Sequence, residues 1–265
     1  MQIYSIIKPK VKAVPFVLSI PHSGVNFPAD IKESYNSKQL STLDDTDWYL
    51  DQLYDFAPSL GITTIISTYS RWVIDLNRSP ENKSLYNDGR IITDLCPKTN
   101  FLGEDLYKKK NLLNSNELKR RIDNYYWPYH HKIHELIDSF KSQFNEVLFW
   151  DAHSIRRKVS TIRKEPFPDF IIGDNNEKTA DKRFIDSAIN QLKDSTYEVK
   201  HNHPFKGGYL TRSIGNPSEN IHALQLEMSK DLYMSNNETE YDANKAAEIK
   251  KLLIRTFQCL IAELK

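Results

Sequence analysis

The chain has 265 residues, 39% hydrophobic and 27% charged, the make-up of a globular protein long enough to bury a sizeable core. Its 36 Lys and Arg against 35 Asp and Glu leave no basic excess for non-specific nucleic-acid binding. No apolar run approaches the roughly 18–20 residues of a membrane span, and Cys96 and Cys259, far apart and outside any metal spacing, read as reduced thiols rather than a disulfide.

In chain order, the opening "MQIYSIIKPKVKAV" is too short in apolar residues for a signal peptide and is interrupted by Lys8, Lys10 and Lys12, so a cytoplasmic protein is expected. The first strand-like run, Phe16–Pro21, breaks into Pro-His-Ser-Gly and leaves His22 at its carboxyl end, where open α/β sheets keep their sites. A helix is predicted from Asp47 to Leu60, with Thr46 as its N-cap, and a strand over Ile62–Thr68. Asp47, Asp51 and Asp55 form an acidic stripe at helical spacing that reads by default as a solvated face. Asp47 stands apart because it begins that helix.

"YSRWVIDLNRSPEN" follows, with Arg71 and Arg78 flanking a strand-like "WVIDL" and Asn77 beside Arg78. The planar guanidinium fork suits carboxylate or phosphate, although surface ion pairs explain most such groupings. From about 77 to 115 the chain is polar and turn-rich, an excursion from the sheet. The lysines of "YKKKN" at 107–111 read as a solvated loop or helix start. A long helix is expected over about 116–143, bent at Pro128. It carries His130, His131 and His134, which lack the H-E-x-x-H spacing and read as packing or surface residues.

The strand Val147–Asp151 leads to His153. Two-residue alternation puts Asp151 on the same side of the chain, where it can orient the ring. A short strand Phe170–Ile172 and a helix over about 178–193 come next, followed by a strand Ala223–Glu227 that holds a glutamate among apolar neighbours. Such a buried carboxyl is costly unless paired or functional, and a raised pKa suits a general base. His201, His203 and His222 are isolated by local sequence. A last helix from Asp242 has Ala246, Ile249, Leu252, Leu253, Phe257 and Leu260 on one face. Strands alternating with helices, without repeat or linker, predict a single α/β domain over 1–265: three layers, with a mixed, mostly parallel sheet flanked by helices. Two strand-end histidines on one sheet edge make half of a metal site, and buried core histidines remain the alternative.

Six stretches taken together resemble the N-formylglutamate amidohydrolase (deformylase) family. They are "SIPHSG" with His22, "DTDWYLDQLYDFA" with Asp47, "SRWVIDLNR", "WDAHS" with His153, "PFKGGYLTR" at 204–212 and "HALQLEMSKDLYM" at 222–234. The arrangement is also similar to the wider zinc carboxypeptidase and aspartoacylase fold (phosphorylase/hydrolase-like). The resemblance implies metal-dependent hydrolysis of N-formyl-L-glutamate to formate and L-glutamate, in histidine degradation. It implies a zinc ion, or another divalent metal, on His22, Asp47 and His153, with Asp151 behind the ligands. Glu227 would be the base and Arg71 the oxyanion partner. Asn77 and Arg78 would clamp the α-carboxylate and Arg212 the side-chain carboxylate, with the arginine roles exchangeable. Gly207 and Gly208 would let the backbone bend close to substrate. In those relatives the carboxylate ligand follows the first histidine by three residues; here that position is Val25, so Asp47 is taken over Asp45 or Asp44. Hydrolysis of another N-acyl amino acid or of a peptide or cell-wall amide stays open. So does a catalytically silent small-molecule or protein-binding module.

Overall fold

Long apolar runs in this chain pair with one another and leave their ends to the polar residues. In the computed structural model, which describes residues 2–83, 93–109 and 113–264, seven strands form one sheet. They are β1 (Tyr4–Ile7), β2 (Phe16–Ile20), β3 (Thr63–Ser67), β4 (Val147–Ile155), β5 (Phe170–Gly173), β6 (Val199–His201) and β7 (Ile221–Ser229). Their spatial order is β1-β3-β2-β4-β7-β5-β6. The pairs β2/β3, β2/β4, β4/β7 and β5/β6 are parallel, whereas β1/β3 and β5/β7 are antiparallel. The helices are α1 (Ala29–Lys32), α2 (Ser37–Thr42), α3 (Leu50–Leu53), α4 (Ser115–Arg121), α5 (Trp127–Gln143), α6 (Lys182–Lys193), α7 (Tyr209–Ile214) and α8 (Ala243–Glu263).

Alternation along each strand divides the core in two. Phe16, Leu18, Trp150, Leu224 and Leu226 face α6 and α8, meeting Phe184, Ile185, Leu253 and Phe257. Val17, Phe149 and Ala223 face the other way and meet Ile133 and Ile137 of α5 and Leu210 of α7. Burial on both faces explains why the central strands read as unbroken apolar runs rather than alternating ones. The expected three-layer α/β architecture is therefore present. Among the described residues no helix is long and apolar enough to cross a membrane, and both cysteines are free thiols.

Several expected elements differ. The two central strands are longer than predicted, so His153 and Glu227 lie within β4 and β7 rather than at their tips. The edge strands β1 and β6 carry too little apolar pattern to be read from sequence. In place of a helix from Asp47 to Leu60 there is a tight turn, the single turn of α3, and a 3₁₀ turn over Ala57–Leu60. Tyr49 adopts a left-handed backbone (φ 61°), and Pro58 cannot donate into a continuing helix. Arg71–Arg78 contains no strand; "WVIDL" is an irregular turn-rich segment. The long helix is interrupted by a π turn at Ile122–Tyr126 just ahead of Pro128, where the missing N–H disrupts the regular ladder. Of the polar excursion and the lysine run, 84–92 and 110–112 fall outside the described residues.

Phe257 of α8 sits among Phe16, Trp150 and Phe56 at ring separations of 4.9, 5.2 and 5.6 Å. Phe257→Ala should cost about 3–5 kcal/mol because the surrounding rings cannot collapse into the void. The shift in urea midpoint at unchanged slope measures it, and Phe257→Leu should cost distinctly less.

Candidate active site

The site begins with register. In the parallel pair β4/β7, Asp151 lies opposite Gln225 and His153 opposite Glu227. These four share the strand face whose amino-terminal half, Val147, Phe149 and Ala223, is covered by α5 and α7. Past that cover the same face opens into a cavity of ≈ 100 Å³, whose walls include His22, Asp47, Arg71, Asp75, Arg78, His153, Gln225 and Glu227. Phe101, Ile155, Ile162 and Phe205 give it one apolar wall.

Two backbone facts bring His22 and Asp47 together. His22 follows β2, the strand beside β4, and its carbonyl accepts the Asp47 N–H at 3.0 Å. The Asp47 Oδ2 then lies 3.2 Å from His153 Nδ1 and 3.7 Å from His22 Nδ1. One donor atom from each of the three residues falls within 4.8 Å of the others, and all three residues are buried. Each ring is oriented from behind: His22 Nε2 faces Asp75 Oδ1 at 2.8 Å, and His153 Nε2 faces Asp151 Oδ2 at 3.1 Å. The buried Nδ1 of His22 has no hydrogen-bond partner among the described residues. Two imidazole nitrogens and a carboxylate oxygen, converging with their far sides held by carboxylates, form a donor set that fits a divalent cation.

The neighbouring acids are committed elsewhere. Asp45 accepts from Trp72 Nε1 at 2.8 Å and from the Phe101 N–H at 2.9 Å, while Asp44 pairs with Arg156. A second acid–histidine group, Glu146, Asp181 and His222, lies at the opposite, amino-terminal end of the strands. It is already neutralised by the Arg183 guanidinium.

Burial works against ionised Asp47, but the His153 hydrogen bond and the nearby His22 ring overcome it and hold the carboxyl below the usual range. Burial likewise opposes a charged His153, and the Asp151 and Asp47 carboxylates reverse that, holding the ring well above the ordinary imidazole value. Glu227 behaves oppositely. Burial pushes its carboxyl up to about 8, with Asp47 and Asp151 adding to the rise and His153 and Arg71 opposing it.

The segment 71–78 supplies the cations. Arg71 Nη2 donates to Asp75 Oδ2 at 2.6 Å, and its guanidinium lies 4.8 Å from the Phe101 ring centroid. Asp75 therefore serves His22 and Arg71 at once, and its Oδ1 also accepts the Asn77 N–H at 2.9 Å. Asp75 went unassigned in the sequence because a carboxylate between two arginines reads as an ordinary ion pair. Asn77, expected as a substrate clamp, is held at both ends of its amide. Its Oδ1 accepts the Leu210 N–H at 2.7 Å, and its Nδ2 lies 2.9 Å from His153 Nε2 and 3.2 Å from Asp151 Oδ2. Arg78 is on the cavity wall. Arg212 is not among the residues lining the cavity; it lies on α7, its Nε donating to the Gly207 carbonyl at 2.8 Å. Gly208 packs against Asn77, and a Cβ there would fall 2.3 Å from the Asn77 Nδ2.

The fold has a close counterpart among solved structures. The crystal structure of N-formylglutamate amidohydrolase from Ralstonia eutropha JMP134 superposes with a TM-score of 0.81 at 28% identity, covering 98% of this chain and 97% of that one. The sequence profile of the N-formylglutamate amidohydrolase family matches residues 14–234, and this chain belongs to that family. Two curated relatives, each named N-formylglutamate deformylase, are similar along nearly their whole length. The one from Pseudomonas putida is 35% identical over 251 residues, 94% of this chain and 93% of its own. The one from Pseudomonas aeruginosa is 33% identical over 252 residues, again 94% and 93%.

Behind the site, buried His130 stacks on Tyr126 at 4.0 Å, and its Nε2–H donates to the Leu76 carbonyl at 2.9 Å, pinning the stretch between Asp75 and Asn77. Burial pushes its pKa down to about 3. Below pH ~6.5 the unfolded chain takes up a proton here and the native state does not, so stability is full above that pH and falls by about 1.4 kcal/mol per unit on acidification. The fall continues until the native ring itself titrates near about 3. In His130→Gln, whose amide can still donate to Leu76, denaturant titrations between pH 6 and 4 should show a correspondingly shallower loss.

Proposed function

We propose that this protein hydrolyses the amide bond of N-formyl-L-glutamate, releasing formate and L-glutamate, with a divalent metal ion held by His22, Asp47 and His153. The observation that carries the reading is the convergence of those three donors, one of which, His153, lies directly across the β4/β7 pair from Glu227. Family membership and the names of the Pseudomonas relatives support the substrate. When bound, such an ion, zinc by the match of two imidazoles and a carboxylate to its catalytic ligand sets, would supply Lewis acidity and lower the pKa of water toward ~7.

The chain's own groups account for the remaining chemistry. Glu227 faces the cavity with a carboxyl basic enough to take a proton from the attacking water and weak enough as a base to return it to the departing amine nitrogen. The water oxygen bonds to the formyl carbon, its proton passes by way of Glu227 to the amine nitrogen, the C–N bond breaks, and formate and a free amine leave. Arg71, locked by Asp75, places fixed positive charge beside the carbonyl oxygen as it becomes anionic. Such a preorganised donor contributes on the order of 3–4 kcal/mol to catalysis. Arg78 pairs with the substrate's α-carboxylate. Asp151 and Asp75 hold the two imidazoles in orientation, and Asn77 Nδ2 donates to Asp151 from the side. The whole of 1–265 acts as one amidohydrolase unit in this reading, and the family resemblance adds a role in histidine degradation.

Purified protein should contain about one metal ion per chain and release formate from N-formyl-L-glutamate in preference to other N-acyl amino acids. Clear turnover elsewhere in such a panel, with none on N-formyl-L-glutamate, refutes the substrate. Glu227→Gln should keep the metal and lose about 10²–10⁴-fold in kcat. His153→Ala should lose the metal, and Asp47→Asn should retain it more weakly. Metal content by mass spectrometry beside the rate separates these roles, and a metal-free Glu227→Gln protein would make Glu227 a ligand instead.

A further inference from the structure

Gln225 lines the cavity beside Glu227 and was not singled out by the sequence. It is almost fully buried, and two N–H donors converge on one end of its amide. The Gly208 N–H reaches Oε1 at 2.7 Å, and the Asn77 Nδ2 lies 3.5 Å from the same atom. An amide end that receives donors must be the oxygen, which fixes the orientation and sends the NH₂ the other way. Both side-chain hydrogen bonds of Gln225 among the described residues are to Oε1, and the residue lines the cavity, so its NH₂ is left to what enters there. A donor held in place and facing a cavity is available to an acceptor that enters it.

We propose that the Gln225 NH₂ is a specificity-determining donor to the α-carboxylate of the substrate, acting beside Arg78. This rests on the reading of the site as one for an N-acyl glutamate. Asn77 would have been the neutral partner of Arg78 in such a clamp, but its amide is engaged by Leu210, Asp151 and Gln225. Gln225, anchored through Asn77 and Gly208, supplies the free donor in its place. Its rigidity makes it selective: an acceptor is welcomed, and a group presenting its own N–H meets a second donor.

Gln225→Glu tests this because a carboxylate can keep the Gly208 bond while presenting a negative acceptor where a donor stood. Rates on N-formyl-L-glutamate, N-formyl-L-isoglutamine (α-carboxamide) and N-formyl-L-glutamine (γ-carboxamide) are compared as kcat/KM. The variant should lose at least tenfold of its preference for the α-carboxylate over the α-carboxamide, through KM, with its preference at the γ position unchanged. Gln225→Met should raise KM for all acids with kcat within a few-fold. A preference shifted only at the γ position, or at neither, overturns the proposal. Wild-type protein inert on N-formyl-L-glutamate overturns the substrate reading separately. Calorimetric titration with L-glutamate then decides for Gln225. Binding to wild type that weakens at least tenfold in Gln225→Glu supports the donor, and equal binding, or none to either protein, overturns it.

Discussion

The nine-residue parallel pairing of β4 with β7 is the constraint on which the cleft rests. A strand offers alternate side chains to one face, and a slip of one residue would carry the whole set to the other. Here the buried halves, Leu148, Trp150, Leu224 and Leu226 on one side and Phe149 and Ala223 on the other, leave a single register in which apolar surface is covered. That register also makes a square of Asp151, His153, Gln225 and Glu227. The core thus sets distances between charged groups that would otherwise repel or drift. Burial of the same strands raises the Glu227 pKa, so packing and chemistry have one source.

Around this square the loops are tied in by single bonds with two or more duties. The Asp47 N–H on the His22 carbonyl closes one side, and Asp75 closes another by holding His22, Arg71 and the Asn77 backbone together. Asn77 then connects that loop to Asp151, His153 and α7. Loops that carry polar groups into a low-dielectric cleft stay ordered only if nearly every donor and acceptor is matched. Among the described residues the buried His22 Nδ1 lacks a hydrogen-bond partner, and both it and Gln225 border the cavity where a bound species would sit.

Residues that contradict their local surroundings were legible in the sequence. His22 and His153 interrupt or end apolar runs, Glu227 is a carboxyl inside one, and each can be read from hydropathy contrast alone. Asp47 was legible as part of a motif, yet its helix was not there, because Tyr49 and Pro58 turn the chain in ways that apolar spacing does not reveal. Asp75 and Gln225 gave no contrast: one resembles a partner for its flanking arginines, and the other is a neutral amide. The engagement of Asn77 depends on Leu210, 133 positions later, and the direction of Arg212 on a carbonyl in its own turn. Long-range bonds of that kind leave no periodic trace, whereas the two-faced burial of the sheet does.

The close approach of Gly208 to Asn77 bears on how such a cleft can diversify. With no room for even a methyl group between the Gly208 backbone and the Asn77 side-chain amide, the polar side of the pocket cannot be remodelled one residue at a time. The opposite wall, built from Phe101, Ile162 and Phe205, contains none of the interlocked carboxylates. Exchange of those three side chains would change the room available to an acyl group and leave the charged framework standing. In this architecture, tolerance for new substrates is confined to the greasy side.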